Sequence, residues 1–395
     1  MSKRVKEPKV ELADIIPKSG EVRTLYCDDC GHSMDLTFPD FTDYVSGVQI
    51  QISNLPHLDC PACSSRYLTD NGTFAIVELH RQAVAKGSDL VRVNRKKRQA
   101  DYKFTDVPFL VDADDYYYIP GLYRSFDPGF LTPLFFNKTV LSKFDTLPGY
   151  EVRFASQSYG TINMSEDYIP FGINRHGKVI MWLGDVSKLP ESEQFYLRSE
   201  NVPSDHAIGS EFYDGQISCI FTDPPMEAIA IKGRSALAKA FEVEFSAKLF
   251  HLDDELVDTI ARLTPPVIDT EKERKHAFDS LNRIFVESLD NAGLEKLART
   301  LGLKLTSSGS LKRLQAILES KDTSGLVATA LSPFYVTYDL RIAYSHLTSA
   351  SRRQELLDTA ADRLGLAKDA RLDALYSAIL SQMIASMEKL KDLLQ

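Results

Sequence analysis

What this chain lacks narrows its class before any motif is considered. No run of residues approaches the roughly 18 consecutive apolar positions that a membrane span requires, so no membrane partner is expected. An excess of positive charge is missing as well. The formal net charge is −9, which argues against a protein that coats nucleic acid over its whole surface, because phosphate contact favours basic faces. A small local site for nucleic acid stays compatible with that balance. Internal repeats and low-complexity tracts are absent. The opening MSKRVKEPKVELAD places no apolar segment behind its basic residues, which sets the expectation of a cytoplasmic chain without a secretory signal. What is present, 44% hydrophobic and 26% charged residues, is the composition of a soluble globular protein, and 395 residues exceed one ordinary core. Two or three domains follow.

Cysteine is scarce, with five residues in all, yet four of them fall before residue 64. Cys27 and Cys30 form one CxxC pair and Cys60 and Cys63 a second, with 29 residues between the pairs. Four thiolates in two such pairs match a tetrahedral Zn²⁺ site in which each pair makes a tight knuckle, and Gly31 suits the turn. Disulfide pairing is the competing chemistry, and a reducing cytoplasm disfavours it. Four thiolates leave no coordination position open, so the metal is expected to be structural. His32 and His57 are expected at the surface rather than as ligands. Val48–Ser53 alternates like a strand leading to the second pair. These features define residues 1–105 as a domain containing a zinc ribbon. Its densest basic run, Arg92-Val-Asn-Arg-Lys-Lys-Arg98, reads first as a solvated linker or helix end and second as a contact for an RNA backbone.

Residues 106–224 are rich in aromatics and turns. Asn174-Arg-His-Gly177 reads as a turn into a buried strand over Lys178–Leu183, and the segment is expected to be a mainly β or α+β sensor or docking module. Ser204, Asp205 and His206, with Glu211 and Asp214, offer a carboxylate-and-histidine grouping that a second enzymatic reading would use, although a lone His beside Asp is more often an ordinary hydrogen-bonded pair. Cys219, flanked by Ile217, Ile220 and Phe221, is expected in the core. Residues 225–395 show helical spacing throughout, interrupted by Pro265-Pro266 and Ser307–Ser310, with Asp253 and Ser310 as expected N-caps. This segment reads as a helical bundle, and the whole chain as an α+β multidomain protein.

Within the bundle, a helix expected from about 333 to 348 carries an unusual distribution. Val336, Leu340, Ala343, Tyr344 and Leu347 make one apolar stripe for the chain's own core. The opposite face bears Tyr335, Tyr338 and Ile342, flanked by Arg341 and His346, so something apolar is expected to cover it. At about 100° per residue, Arg341 and His346 stand about 140° apart and about 7.5 Å along the axis. Asp339 lies two turns before His346 on nearly the same side.

Asp339-Leu-Arg341-x4-His346 on a late helix of an all-α domain resembles the signature of the HEPN-superfamily ribonucleases, with Ile342 standing where many members carry a polar residue. The resemblance covers at most the last ~170 residues. It implies a homodimer through the C-terminal helices, an RNA substrate, and metal-independent endonucleolytic cleavage in a cleft where two motifs meet. Arg341, His346 and Asp339 would be the catalytic residues. Proteins of this kind often serve as toxins or antiviral defence effectors under the control of an activating ligand or protein. Some HEPN domains only bind partners, so a non-catalytic adaptor for nucleic acid or protein is the alternative from another class.

Overall fold

A computed structural model describes residues 10–16, 23–164, 167–304, 309–322 and 324–395. The first nine residues of the basic opening, and Ser307 and Ser308 of the expected breaker, lie outside the described residues. The chain forms two compact units, Met1–Arg153 with Ser158–Thr222, and Phe154–Gln157 with Asp223–Gln395.

Along the first unit run β1 (Asp35–Thr37), β2 (Phe41–Val45), β3 (Val48–Ser53), β4 (His57–Asp59), β5 (Arg66–Leu68) and β6 (Leu90–Asn94). These are followed by β7 (Pro133–Phe136), β8 (Glu151–Phe154), β9 (Tyr159–Asn163), β10 (Tyr168–Ile173), β11 (Val179–Trp182) and β12 (Asn201–Val202). They make three sheets, ordered β1-β4-β5, β2-β3-β6 and β12-β7-β11-β10-β9-β8. The expected strand at Val48–Ser53 is β3. Val48, Ile50 and Ile52 are buried and the residues between them half-buried, so period-two alternation fixes which face meets the core. β3 pairs antiparallel with β2 and parallel with β6, and the helix Asp70–Lys86 lies between β5 and β6 in the chain. Thr69 caps that helix by accepting from the Gly72 N–H, and Gly87 ends it in the left-handed conformation that glycine adopts without strain. β11 is buried along its whole length, as the run Lys178–Leu183 led one to expect.

Residues on both sides of position 105 share one core. Leu25, Leu36 and Leu58 pack in a single cluster with Tyr116, Phe135, Trp182 and Phe212. Cys219 departs from expectation: it is exposed, in a left-handed conformation, and Phe221 beside it is fully exposed. Local apolar neighbours could not reveal that this stretch leaves the core. His57 departs in the other direction. It is buried, with its Nδ1 against the Leu55 carbonyl, whereas His32 is exposed.

The second unit is helical, with helices at Met226–Phe245, Asp253–Ala261, Glu271–Asn282, Asn291–Thr300, Ser310–Glu319, Leu326–Ala330, Ser332–Ser345, Ala350–Leu364 and Leu372–Leu393. Glu271–Asn282 continues into a π turn over Arg283–Glu287. Neither expected N-cap caps. Asp253 is the first helical residue, after Leu252, and its carboxylate pairs with the buried Arg234 at 3.0 Å. Gly309 precedes Ser310, which is itself helical. Among the described residues no helix is long and apolar enough to cross a membrane.

Candidate functional site

The four N-terminal cysteines converge. Their sulfurs all lie within 4.8 Å of one another, with Cys27–Cys63, Cys30–Cys60 and Cys30–Cys63 each at 3.5 Å. None forms a disulfide, which would need about 2.0 Å. Four sulfurs placed tetrahedrally at about 2.3 Å from one ion would stand about 3.8 Å apart, so the set has the dimensions of a metal site. Each pair is the tip of a small hairpin. Tyr26 bridges Ser33 below the first, and β4 and β5 run into and out of the second. The two tips repeat one geometry. The Cys27 N–H donates to the His32 carbonyl at 2.9 Å and the Gly31 N–H returns to Cys27 at 2.8 Å. The Cys60 N–H donates to the Ser65 carbonyl at 2.8 Å and the Ser64 N–H returns to Cys60 at 3.0 Å. Gly31 and Ser64 both take positive φ, 72° and 64°, so the second knuckle holds a non-glycine residue where the turn demands left-handed backbone.

The thiols do not titrate alike. Burial opposes ionisation of Cys27, but the Tyr67 hydroxyl and the backbone N–H groups of Asp29 and Cys30 outweigh it and lower the thiol to about 6. The His32 backbone N–H favours the Cys30 thiolate, but the facing sulfur of Cys60, burial and the sulfurs of Cys63 and Cys27 push it up to about 12. Four adjacent sulfurs without a cation must therefore retain protons between them. A bound cation would replace those protons.

The motif helix, Ser332–Ser345, buries Val336, Leu340 and Ala343, a spacing that keeps one face on the core. Val336 and Leu340 each contribute on the order of 1.5–3 kcal/mol by leaving water. Tyr344 packs flat on Phe278, with ring centroids 5.5 Å apart, and its hydroxyl accepts from Arg274 at 3.0 Å. The helix ends earlier than expected. His346 is its C-cap: its N–H still donates to the Ile342 carbonyl at 3.1 Å, but its backbone is extended (φ −104°, ψ 149°) and the chain turns away after it. Leu347, expected in the buried stripe, is fully exposed for the same reason. His346 is exposed, Arg341 and Ile342 are half-buried, and Tyr338 is exposed. Tyr335, on the expected second face, instead packs partly on the core and donates to Gln315 at 2.9 Å.

Arg341 has partners that sequence spacing did not identify. Its guanidinium lies 3.1 Å from Glu287 and 3.7 Å from Asp279. Those acids are eight residues apart, where two α turns take about 7.2. The intervening π turn accommodates the extra residue and brings both carboxylates towards the motif helix. Asp279 also accepts from the Ser345 hydroxyl at 2.6 Å. Asp339 stands apart from this group, with Arg363 as a loose partner at 3.9 Å, and burial raises its carboxyl above the ordinary range despite Arg363 and Arg352.

The grouping expected around Ser204–Asp214 does not form as one site. Asp205 accepts from Asn174 and lies 3.0 Å from His176, whereas Glu211 accepts from the N–H and hydroxyl of Ser158. His206 turns instead to Asp115, at 2.6 Å from Nδ1. The left-handed backbone at His206 (φ 60°) aims its ring away from its neighbour in sequence. No protein-family model, no curated protein and no solved structure matches this chain.

Proposed function

We propose that this chain is a zinc-holding endoribonuclease of the HEPN type, which cuts RNA through attack of the substrate's own 2′-OH at a site completed by a second copy of the chain. The observation that carries the reading is the open end of the motif helix. There Arg341 is half-exposed and His346 exposed, with the exposed Leu347 next in the chain and the exposed Tyr338 one turn before Arg341. A histidine can take the 2′-OH proton or give one to the leaving 5′ oxygen. A guanidinium that exchanges Glu287 for a phosphate would hold the scissile group and stabilise the charge developing on it. Asp339, paired loosely with Arg363 and apart from Arg341, is the third residue that the resemblance assigns to the site. Cys27, Cys30, Cys60 and Cys63 would hold Zn²⁺ as a structural ion, with no part in the cleavage. Defence or toxicity, gated by an activating partner, is the role this chemistry suits.

The test is incubation of the protein with mixed RNAs in EDTA. Cleavage should persist and leave a 2′,3′-cyclic phosphate, or the 3′-phosphate formed from it, and a 2′-deoxy residue at the cut site should block it. Strict metal dependence or equal cleavage of DNA would overturn the mechanism. One observation favours a second reading: Arg341 is already matched by two carboxylates, as expected of an Arg in a non-catalytic adaptor. No cleavage under any condition would select that reading.

A further inference from the structure

The pair of His206 and Asp115 is built as a functional histidine is built. Asp115 is completely buried and holds Nδ1 at 2.6 Å, while the imidazole remains 26% exposed. Among the described residues its Nε2 has no hydrogen-bond partner, and it is not shut away from solvent. The orientation is enforced at a cost. A β-carbon residue at φ 60° is strained, and the strain is held by Asp205, which accepts from the Ala207 N–H, and by Asn174, which donates to the Ala207 carbonyl. The His206 carbonyl accepts from Leu36 in β1, and the ring stands edge-on to Phe38, centroids 5.3 Å apart.

Beyond Phe38 lies the basic run. Arg95 lies 4.6 Å over the Phe38 ring and forms a two-pronged ion pair with the buried Asp114. Lys97 pairs with Asp112, and Arg98 rests on Tyr117 and donates to the Tyr118 hydroxyl. Two cations, Arg95 and Lys97, and the His206 imidazole are thus matched one to one by aspartates. Arg92, Lys96 and Arg98 have no carboxylate partner among the described residues. Cations interleaved with aromatic faces beside an oriented imidazole, which presents an N–H at Nε2 when protonated, form a pattern suited to phosphate.

We propose that His206, set by Asp115, donates from Nε2 to a phosphate group in a binding site whose rim is the Lys96–Arg98 stretch. Asp115 acts as a positioning residue. It fixes the ring and favours the imidazolium: burial lowers His206's affinity for a proton, but Asp115 more than restores it. The ligand chemistry is a phosphoester, supplied either by a free nucleotide or by an RNA strand. The site does not rest on the cleavage reading, because binding is read without turnover.

The experiment follows the His206 ring nitrogens by long-range ¹H–¹⁵N correlation in the full chain, with inorganic phosphate, uridine monophosphate and a short oligouridylate as probes. Saturable movement of the Nε2 resonance is expected with phosphate. His206→Asn keeps a residue that tolerates left-handed backbone, and should weaken phosphate binding about ten-fold or more with an unchanged circular dichroism spectrum. Arg98→Ala, at an exposed side chain, should weaken oligouridylate binding and flatten its salt dependence. An oligouridylate that binds far more tightly than the monophosphate assigns an RNA strand, and equal affinities assign a free nucleotide. Unmoved His206 resonances with all three probes, or full affinity in His206→Asn, overturn the proposal.

Discussion

A carboxylate's surroundings decide whether its charge helps or harms, and Asp339 shows this. Burial raises its carboxyl above the ordinary 3.8, and Arg363, at 3.9 Å, is too distant to offset the loss of water. The sign of the pH effect follows. A raised carboxyl favours the fold while protonated, and that contribution is lost as pH rises through the folded-state value. Asp339→Asn, which removes the unfavourable charge, should therefore raise the melting temperature at pH 7, with the gain shrinking as pH falls towards 3.8. A lower melting temperature at pH 7 would show that the pair with Arg363 outweighs desolvation. If Asp339 also serves cleavage, the same variant gains stability and loses activity, and the opposite signs separate a working residue from a merely buried one.

Among the elements, the paired knuckles have the clearest dependence on chemistry outside the hydrophobic core. Their hairpins are short, three residues each in β4 and β5, and Cys30 and Cys63 are exposed. Leu25 and Leu58 tie the knuckles to the core from one side, and metal binding would add folding energy at the side where Cys30 and Cys63 are exposed. Elemental analysis of the native protein should find one zinc per chain, and Cys60→Ser should lose it. The far-UV signal of the helices in the second unit should survive that substitution. A wild-type protein with negligible metal and four titratable thiols would remove the metal from the account. The knuckles were legible in the sequence because CxxC spacing is local. β3 was legible because alternation of Val48, Ile50 and Ile52 is local too. The end of the motif helix was not: apolar spacing runs on through Leu347, but the chain turns out at His346. Cys219 failed likewise, since apolar neighbours in sequence say nothing about where a loop leaves the core.

For the whole molecule, the exposed Leu347 next to His346, and the exposed Tyr338 two turns before it, bear on assembly. If two copies complete the cleavage site, Arg341→Ala and His346→Ala should each abolish cleavage and leave the dimer intact. Mixing the two inactive variants, with subunit exchange verified, should restore part of the activity, because some heterodimers carry an intact Arg on one chain and an intact His on the other. A mixture that stays inactive rules out cross-chain pairing. Ile342→Glu tests the surface itself by placing a charge on it, and should yield a monomer that has lost cleavage.

The sequence by itself determined the α+β composition, the helical second unit and the metal-ligand spacing, because each is written in patterns a few residues long. Only the tertiary structure decided which side chains meet across distance. It gave Arg341 to Asp279 and Glu287, on a neighbouring helix and the π turn that continues it, rather than leaving it beside Asp339. It gave His206 to Asp115, 91 positions away, rather than to Asp205, its neighbour in the chain. Chain connectivity is one-dimensional, whereas a buried carboxylate selects its partner by distance in three dimensions.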